Sequence, residues 1–185
     1  MTKLFFDFEF TGLHKDTTPI SLGIKAANGK QFYAEYTDYD RTQVDSWIQE
    51  NVIDNLLFNE YPTFDQQLGA LTFFKGDTAG VKAAFQKWMK QFKHAEFWAD
   101  VIPYDGVLLN ELVGVLGDVP NNIDYIYYDI ATLFKLYGID PDISREAFID
   151  RPITGDKHNS LYDAKVIEAC YEKIYRNKDT YTVML

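Results

Sequence analysis

The chain has 185 residues, of which 46% are hydrophobic and 25% charged, a balance that fits one soluble globular domain able to withdraw roughly 70% of its unfolded surface from water. No apolar run approaches the ~20 residues of a membrane helix, no charged-then-apolar leader opens the chain, and the lone Cys170 excludes an internal disulfide framework, so a reducing, cytoplasmic setting is expected. The formal charge of −10 disfavours a protein that coats duplex nucleic acid through Lys and Arg.

No repeat, low-complexity stretch or linker divides the sequence, so residues 1–185 are expected to form one domain, with a core over about 3–176 and a tail, 177–185, left unassigned. Residues 3–10 read as a Phe-rich strand bounded by Thr11-Gly12. Strands follow over about 19–26 and 31–37, joined through the hairpin signal Asn28-Gly29. A helical patch around 43–51 carries Val44, Trp47 and Ile48 at helical spacing. Residues 53–79 are poorly periodic and receive no assignment. A helix near 79–92 presents Val81, Phe85, Trp88 and Phe92, and a short strand over 95–99 follows it. Another helix starts near Tyr104, a strand spans about 123–129 with a short helix after it, and the last element is a helix from about 160 to 176. Hairpins first and strands alternating with helices afterwards predict a mixed sheet flanked by helices.

The chemistry lies in acids placed against this pattern. In Phe6-Asp7-Phe8-Glu9-Phe10 strict alternation puts Asp7 and Glu9 on one strand face, ~7 Å apart along the chain, and the three phenylalanines on the other. Two carboxylates on one face repel each other unless a cation lies between them, and hard divalent ions take carboxylate oxygens; a solvated edge strand is the plainer alternative. Asp105, Leu108, Leu109 and Leu112 follow helical spacing, as do Asp163, Ile167, Cys170 and Ile174, so both acids fall on apolar stripes, where a carboxylate is costly unless paired, protonated or metal-bound. Ser160 and Asp163 also fit an S-x-x-D capping pattern, which is a second explanation for Asp163. Asp100, just after a strand but off any stripe, is the weaker competitor of Asp105 for the middle position.

His158 stands five residues before Asp163 on a loop that contains Thr154-Gly155-Asp156-Lys157. A loop histidine is commonly a solvated residue. Beside a cluster of acids, however, an imidazole can take a proton from water near neutral pH. His14 and His94 have no comparable acidic neighbourhood.

Ordered D-x-E, an Asp on a later helix, then H-x-x-x-x-D resembles the DEDDh branch of the 3′→5′ exonucleases. Asp7-Phe8-Glu9-Phe10-Thr11-Gly12-Leu13 looks like the first motif of that family, Tyr104-Asp105 the second, and His158 through Asp163 the third. Trp98-Ala99 running to Tyr104-Asp105 is most similar to the RNase AS-like exoribonucleases and their phage relatives. The sister branch carries Y-x-x-x-D instead of the histidine motif; here position 159 is Asn, and Tyr125 to Asp129 fits that spacing only on a predicted strand. The resemblance covers about residues 3–176, with 38–80 the least matched.

This resemblance implies a ribonuclease H-like α/β fold with a mixed five-stranded sheet, and hydrolysis of single-stranded nucleic acid, RNA in preference to DNA, from the 3′ end to nucleoside 5′-monophosphates. It implies two Mg²⁺ or Mn²⁺ ions on Asp7, Glu9, Asp105 and Asp163, with His158 as general base. Two such ions bring +4, changing the formal −10 to −6 and reversing the local field where phosphate would sit. Thr11, Gly12 and Leu13 are placed to contact the terminal nucleotide, and Trp98 and Tyr104 are candidate base-stacking residues, although Trp98 also reads as core. A homodimer is implied by the resemblance alone. The rival functions are a DNA-trimming exonuclease, a non-catalytic binding module of the same fold and an RNase H-type endonuclease.

Overall fold

A computed structural model describes residues 1–114 and 119–183 of the chain. The first strand, β1 (Thr2–Phe10), pairs antiparallel with β2 (Pro19–Ala26), which pairs antiparallel with β3 (Gln31–Tyr36). Helix α1 (Ser46–Asn51) comes next, then a hairpin of β4 (Phe64–Leu68) and β5 (Leu71–Gly76), the latter parallel to β3. After α2 (Thr78–Met89), β6 (Ala95–Ala99) adds parallel to the other edge of β1. Helix α3 (Pro103–Val113), the two-residue β7 (Tyr128–Asp129), α4 (Ile130–Leu136), α5 (Arg145–Phe148) and α6 (Ser160–Arg176) complete the described order. The sheet runs β4-β5-β3-β2-β1-β6-β7.

The mixed, helix-flanked sheet is as expected, with seven strands where five were counted. The two additional strands form the β4–β5 hairpin within the unassigned 53–79 stretch. Most of β4 is exposed at the sheet edge, so it carries no buried face to impose an alternating pattern. The strand expected over 123–129 shrinks to Tyr128–Asp129 plus an isolated bridge from Ile123 to Ala95. Between them the Asp124 carboxylate accepts the Ile126 N–H, and a side chain that captures backbone in this way diverts it from a ladder.

Alternation along β1 divides the core. Leu4, Phe6 and Phe8 pack with Phe85, Phe97, Leu108 and Leu109 beneath α2 and α3. Phe5, on the opposite face, joins Ile130, Phe134, Ile167 and Cys170 beneath α4 and α6. Asp7 and Glu9 share the face of Phe5 and meet α6.

What lets α6 descend onto these acids is the neighbouring strand. Gly23 stands opposite Asp7 and Ser21 opposite Glu9. A Cβ on Gly23 would lie 2.2 Å from the backbone of Ser160 and Leu161, and the Ser21 hydroxyl hydrogen-bonds that of Ser160 at 2.9 Å. The first turn of α6 therefore rests directly on the β2 backbone. Gly23→Ala is expected to destabilise the fold by about 1–3 kcal/mol or more, the cost of overpacking against atoms that cannot rotate away. A denaturant midpoint unchanged in this variant would show that α6 can lift without penalty.

Candidate active site

Asp7 and Glu9 leave β1, an interior strand of the sheet, and Asp163 comes from the first turn of α6. Each offers a carboxylate oxygen within 4.8 Å of the other two. Asp105 stands beside them in the first turn of α3 and is buried, as its apolar stripe predicts. Its Oδ1 accepts the Phe8 N–H at 2.8 Å, a donor left free because β6 pairs with β1 only as far as Phe5. The acids thus reach one end of the sheet from two strand positions and two helix N-termini, and they line a cleft of about 980 Å³.

Burial raises all four, and repulsion within the group adds to it at Asp7 and Glu9. Burial pushes Asp7 well above the usual carboxylate range, and the charges of Asp163, Asp105 and Glu9 push it further. Glu9 rises to about 8 through burial and then through Asp163 and Asp105. Burial takes Asp105 to about 7 against the opposing Phe8 N–H, and Asp163 to about 7 against the opposing His158 N–H. A site whose oxygens converge while their charges repel suits a divalent cation, and the all-oxygen donor set suits Mg²⁺ or Mn²⁺.

One consequence can be measured without turnover. In the unfolded chain these acids titrate near 3.8 for Asp and 4.5 for Glu. From there up to about 8 the folded, chelated protein holds more protons than the unfolded one. Its stability is therefore fullest below that window and is lost as the pH rises through the folded values. The Tm in chelator should fall between mildly acid and mildly alkaline buffer by about 2–4 °C for each kcal/mol lost, and Mn²⁺ should raise it most at the alkaline end. A chelated Tm that rises steadily across the window would contradict this account of the carboxylates.

His158 sits on the cleft wall with its backbone at φ 65°. Its N–H donates to Asp163 Oδ2 at 2.9 Å, while the Asn159 side chain accepts from Tyr162 N at the start of α6. The helix cap is thus Asn159, one residue before the Ser160 of the S-x-x-D pattern, because the Ser160 hydroxyl is taken by Ser21. Asp163 reaches back to His158 and faces Asp7 and Glu9 at once. Burial, then the Lys157 charge, lowers the imidazole pKa below its ordinary value, which keeps the ring neutral and able to accept a proton.

Of the expected substrate contacts, Gly12, Leu13 and Tyr104 line the cleft. Leu13 is 76% exposed and Tyr104 stacks on Phe10. Gly12 adopts φ 151°, where a Cβ would press on the His14 ring at 3.0 Å. Thr11 is instead buried, its hydroxyl bonded to Gln43 and the Thr18 N–H; it ties the Leu13 loop to the turn before α1. Trp98 is not brought into the cleft either. It stacks on Tyr128, meets Tyr171 edge-to-face and donates its N–H to Glu96, which is the packing role that its sequence position also allowed.

A family model for the 3′-5′ exoribonuclease Rv2179c-like domain matches residues 2–175. The chain belongs to the Rv2179c-like family. The 3′-5′ exoribonuclease Rv2179c of Mycobacterium tuberculosis is 24% identical over 165 residues, which covers 88% of this chain and 87% of that protein. Among solved structures, the nuclease domain of 3′hExo, a DEDDh family member bound to rAMP, is similar with a TM-score of 0.67 at 12% identity, over 100% of this chain and 96% of that one. S. pombe Pop2p in its Mg²⁺- and Mn²⁺-bound form gives 0.60 at 13%, over 95% and 83%. These likenesses show the fold, a ribonuclease H-like one.

In this member of the Rv2179c-like family the cleft holds groups that the sequence did not single out for chemistry. Arg145, from α5, binds Asp100 through Nε at 2.8 Å and Nη2 at 2.7 Å. The Asp100 carboxylate, the competitor of Asp105, also lines the cleft but is paired there with a guanidinium. Trp47 also lines the cleft. Arg145 lies 45 residues from its partner, a separation at which spacing carries no signal.

Proposed function

We propose that this chain is a divalent-cation-dependent 3′→5′ exoribonuclease that removes nucleoside 5′-monophosphates from the end of single-stranded RNA. The observation that carries the reading is the convergence of Asp7, Glu9 and Asp163 within 4.8 Å, in a cleft that His158 also lines. Membership of a family described as a 3′-5′ exoribonuclease domain favours RNA over DNA. Among the described residues no helix is long and apolar enough to cross a membrane.

Asp7, Glu9, Asp105 and Asp163 would hold two divalent cations, Mg²⁺ or Mn²⁺, which offset phosphate charge, acidify the attacking water and stabilise the departing 3′-oxygen. His158 accepts the proton as the water oxygen bonds to phosphorus and the bond to the 3′-oxygen breaks. Asp163 fixes the backbone of that histidine through the His158 N–H. Leu13 and Tyr104 flank the terminal nucleotide, and the ring of Tyr104 is held flat by Phe10. Lys157 offers a positive charge to the incoming phosphates.

The test is digestion of 5′-labelled single-stranded RNA and DNA of one sequence with Mg²⁺, Mn²⁺ or chelator, with the products identified by mass. Stepwise shortening from the 3′ end, nucleoside 5′-monophosphate as product and arrest by chelator are expected, with RNA cut faster. No cation-stimulated release would return the chain to a binding module. Cleavage of a circular RNA, which has no end, would make it an endonuclease.

A further inference from the structure

His158 is anchored through its backbone, but among the described residues neither ring nitrogen has a hydrogen-bond partner. What meets the ring is Trp47, edge-to-face, with centroids 4.9 Å apart and planes inclined by 76°. Trp47 is 52% exposed and lines the same cleft, so burying itself in the core does not account for its position. It belongs to α1, whose N-cap Asp45 accepts the Ile48 N–H at 2.8 Å and whose Ile48 packs with Ile20 and Val52. The turn before α1 is tied to the Leu13 loop by Gln43, which meets Thr11 and donates to the Asp16 carbonyl. Trp47 is thus carried on a braced segment, whereas His158 stands on a loop at positive φ.

We propose that Trp47 is the positioning residue for His158: its indole holds the imidazole in the cleft, in the orientation from which a ring nitrogen reaches the attacking water. The role rests on the exonuclease reading above. An edge-to-face contact restrains the ring plane and leaves both nitrogens free, which a hydrogen-bonding neighbour would not. Such a device suits a base that must take up a proton and release it in every cycle. A base displaced by as little as ~1 Å can cost on the order of 10² in rate, so a contact that only orients still has a large kinetic effect.

Trp47→Leu and Trp47→Phe, made in the full chain, separate orientation from packing and from substrate stacking. The readouts are kcat and KM on single-stranded RNA with Mg²⁺, and the imidazole resonances of His158, told apart from those of His14 and His94 by their loss in His158→Ala. Trp47→Leu should lower kcat by about 10- to 10²-fold with KM nearly unchanged, and should shift the His158 ring signals out of the indole ring current. Trp47→Phe should recover most of kcat. A raised KM at unchanged kcat would overturn the proposal and make Trp47 a base-stacking surface. A Phe variant no better than Leu, or ring signals unmoved in Trp47→Leu, would overturn it as well. A wild-type chain that releases no nucleotide sinks the exonuclease reading instead, and the ring signals still decide whether Trp47 orders His158.

Discussion

Asp7→Asn and Asp163→Asn should each reduce nucleotide release by roughly 10³-fold or more, since a catalytic cation contributes several kcal/mol to the barrier. Both substitutions keep shape and remove a charge that cation binding needs. Asp7 stands at the centre of the cluster, raised by burial and by Asp163, Asp105 and Glu9 together. Its loss in the absence of cation relieves repulsion, so Asp7→Asn should melt higher than the wild type in chelator at alkaline pH. The same variant should gain little Tm from Mn²⁺, because the amide is uncharged and puts an NH2 group, which cannot ligate a hard cation, in place of one carboxylate oxygen. Opposite signs in chelator and in Mn²⁺ separate a lost ligand from a damaged fold, which would lower Tm in both. Asp163→Asn should behave alike with a smaller gain in chelator, since Asp163 also accepts the His158 N–H and an amide oxygen accepts it less strongly. Near-wild-type rates in both variants would dissolve the case for a cation site here.

The parts of the fold that were legible in the sequence are those where one face is buried and the other is not. Strand β1 announces itself because Phe6 and Phe8 point into one core while Asp7 and Glu9 point the other way, and α6 because Ile167, Cys170 and Ile174 recur at helical spacing. The hairpin β4–β5 was illegible because its outer strand is exposed along most of its length. Asp105 was legible as a buried acid for the same reason as the helix bearing it: it falls on that helix's apolar stripe.

What could not be read is whatever depends on two distant segments meeting. Gly23 and Ser21 are unremarkable residues of a strand until their register opposite Asp7 and Glu9 makes them the seat of α6. The Arg145–Asp100 pair joins residues 45 apart. Thr11 follows the acidic strand so closely that it reads as a substrate contact, yet its hydroxyl turns inward to Gln43, a partner 32 residues away. Trp47 fits the amphipathic pattern of α1 and was read with Val44 and Ile48, but the helix turns it outward to His158.

His158→Ala should slow catalysis by about 10²–10⁴-fold, the usual contribution of a positioned general base, while folding and cation affinity stay near wild type. The imidazole is not part of the convergent group of carboxylates, so Ala removes the proposed proton acceptor and leaves Asp7, Glu9 and Asp163 in place. The backbone N–H that Asp163 accepts is retained. Ala does keep a Cβ at φ 65°, a conformation that disfavours L-residues by about 1–2 kcal/mol. His158→Gly removes that strain at the price of added freedom in the unfolded chain, so it should be at least as stable as His158→Ala and equally slow. The paired variants thus hold chemistry constant while backbone strain changes. Their kcat values, with RNA and Mg²⁺ saturating, should coincide, and the Tm increment given by Mn²⁺ should match that of the wild type. A rate loss under tenfold in both would mean that the proton leaves directly to solvent, and that His158 borders the cleft without acting in it.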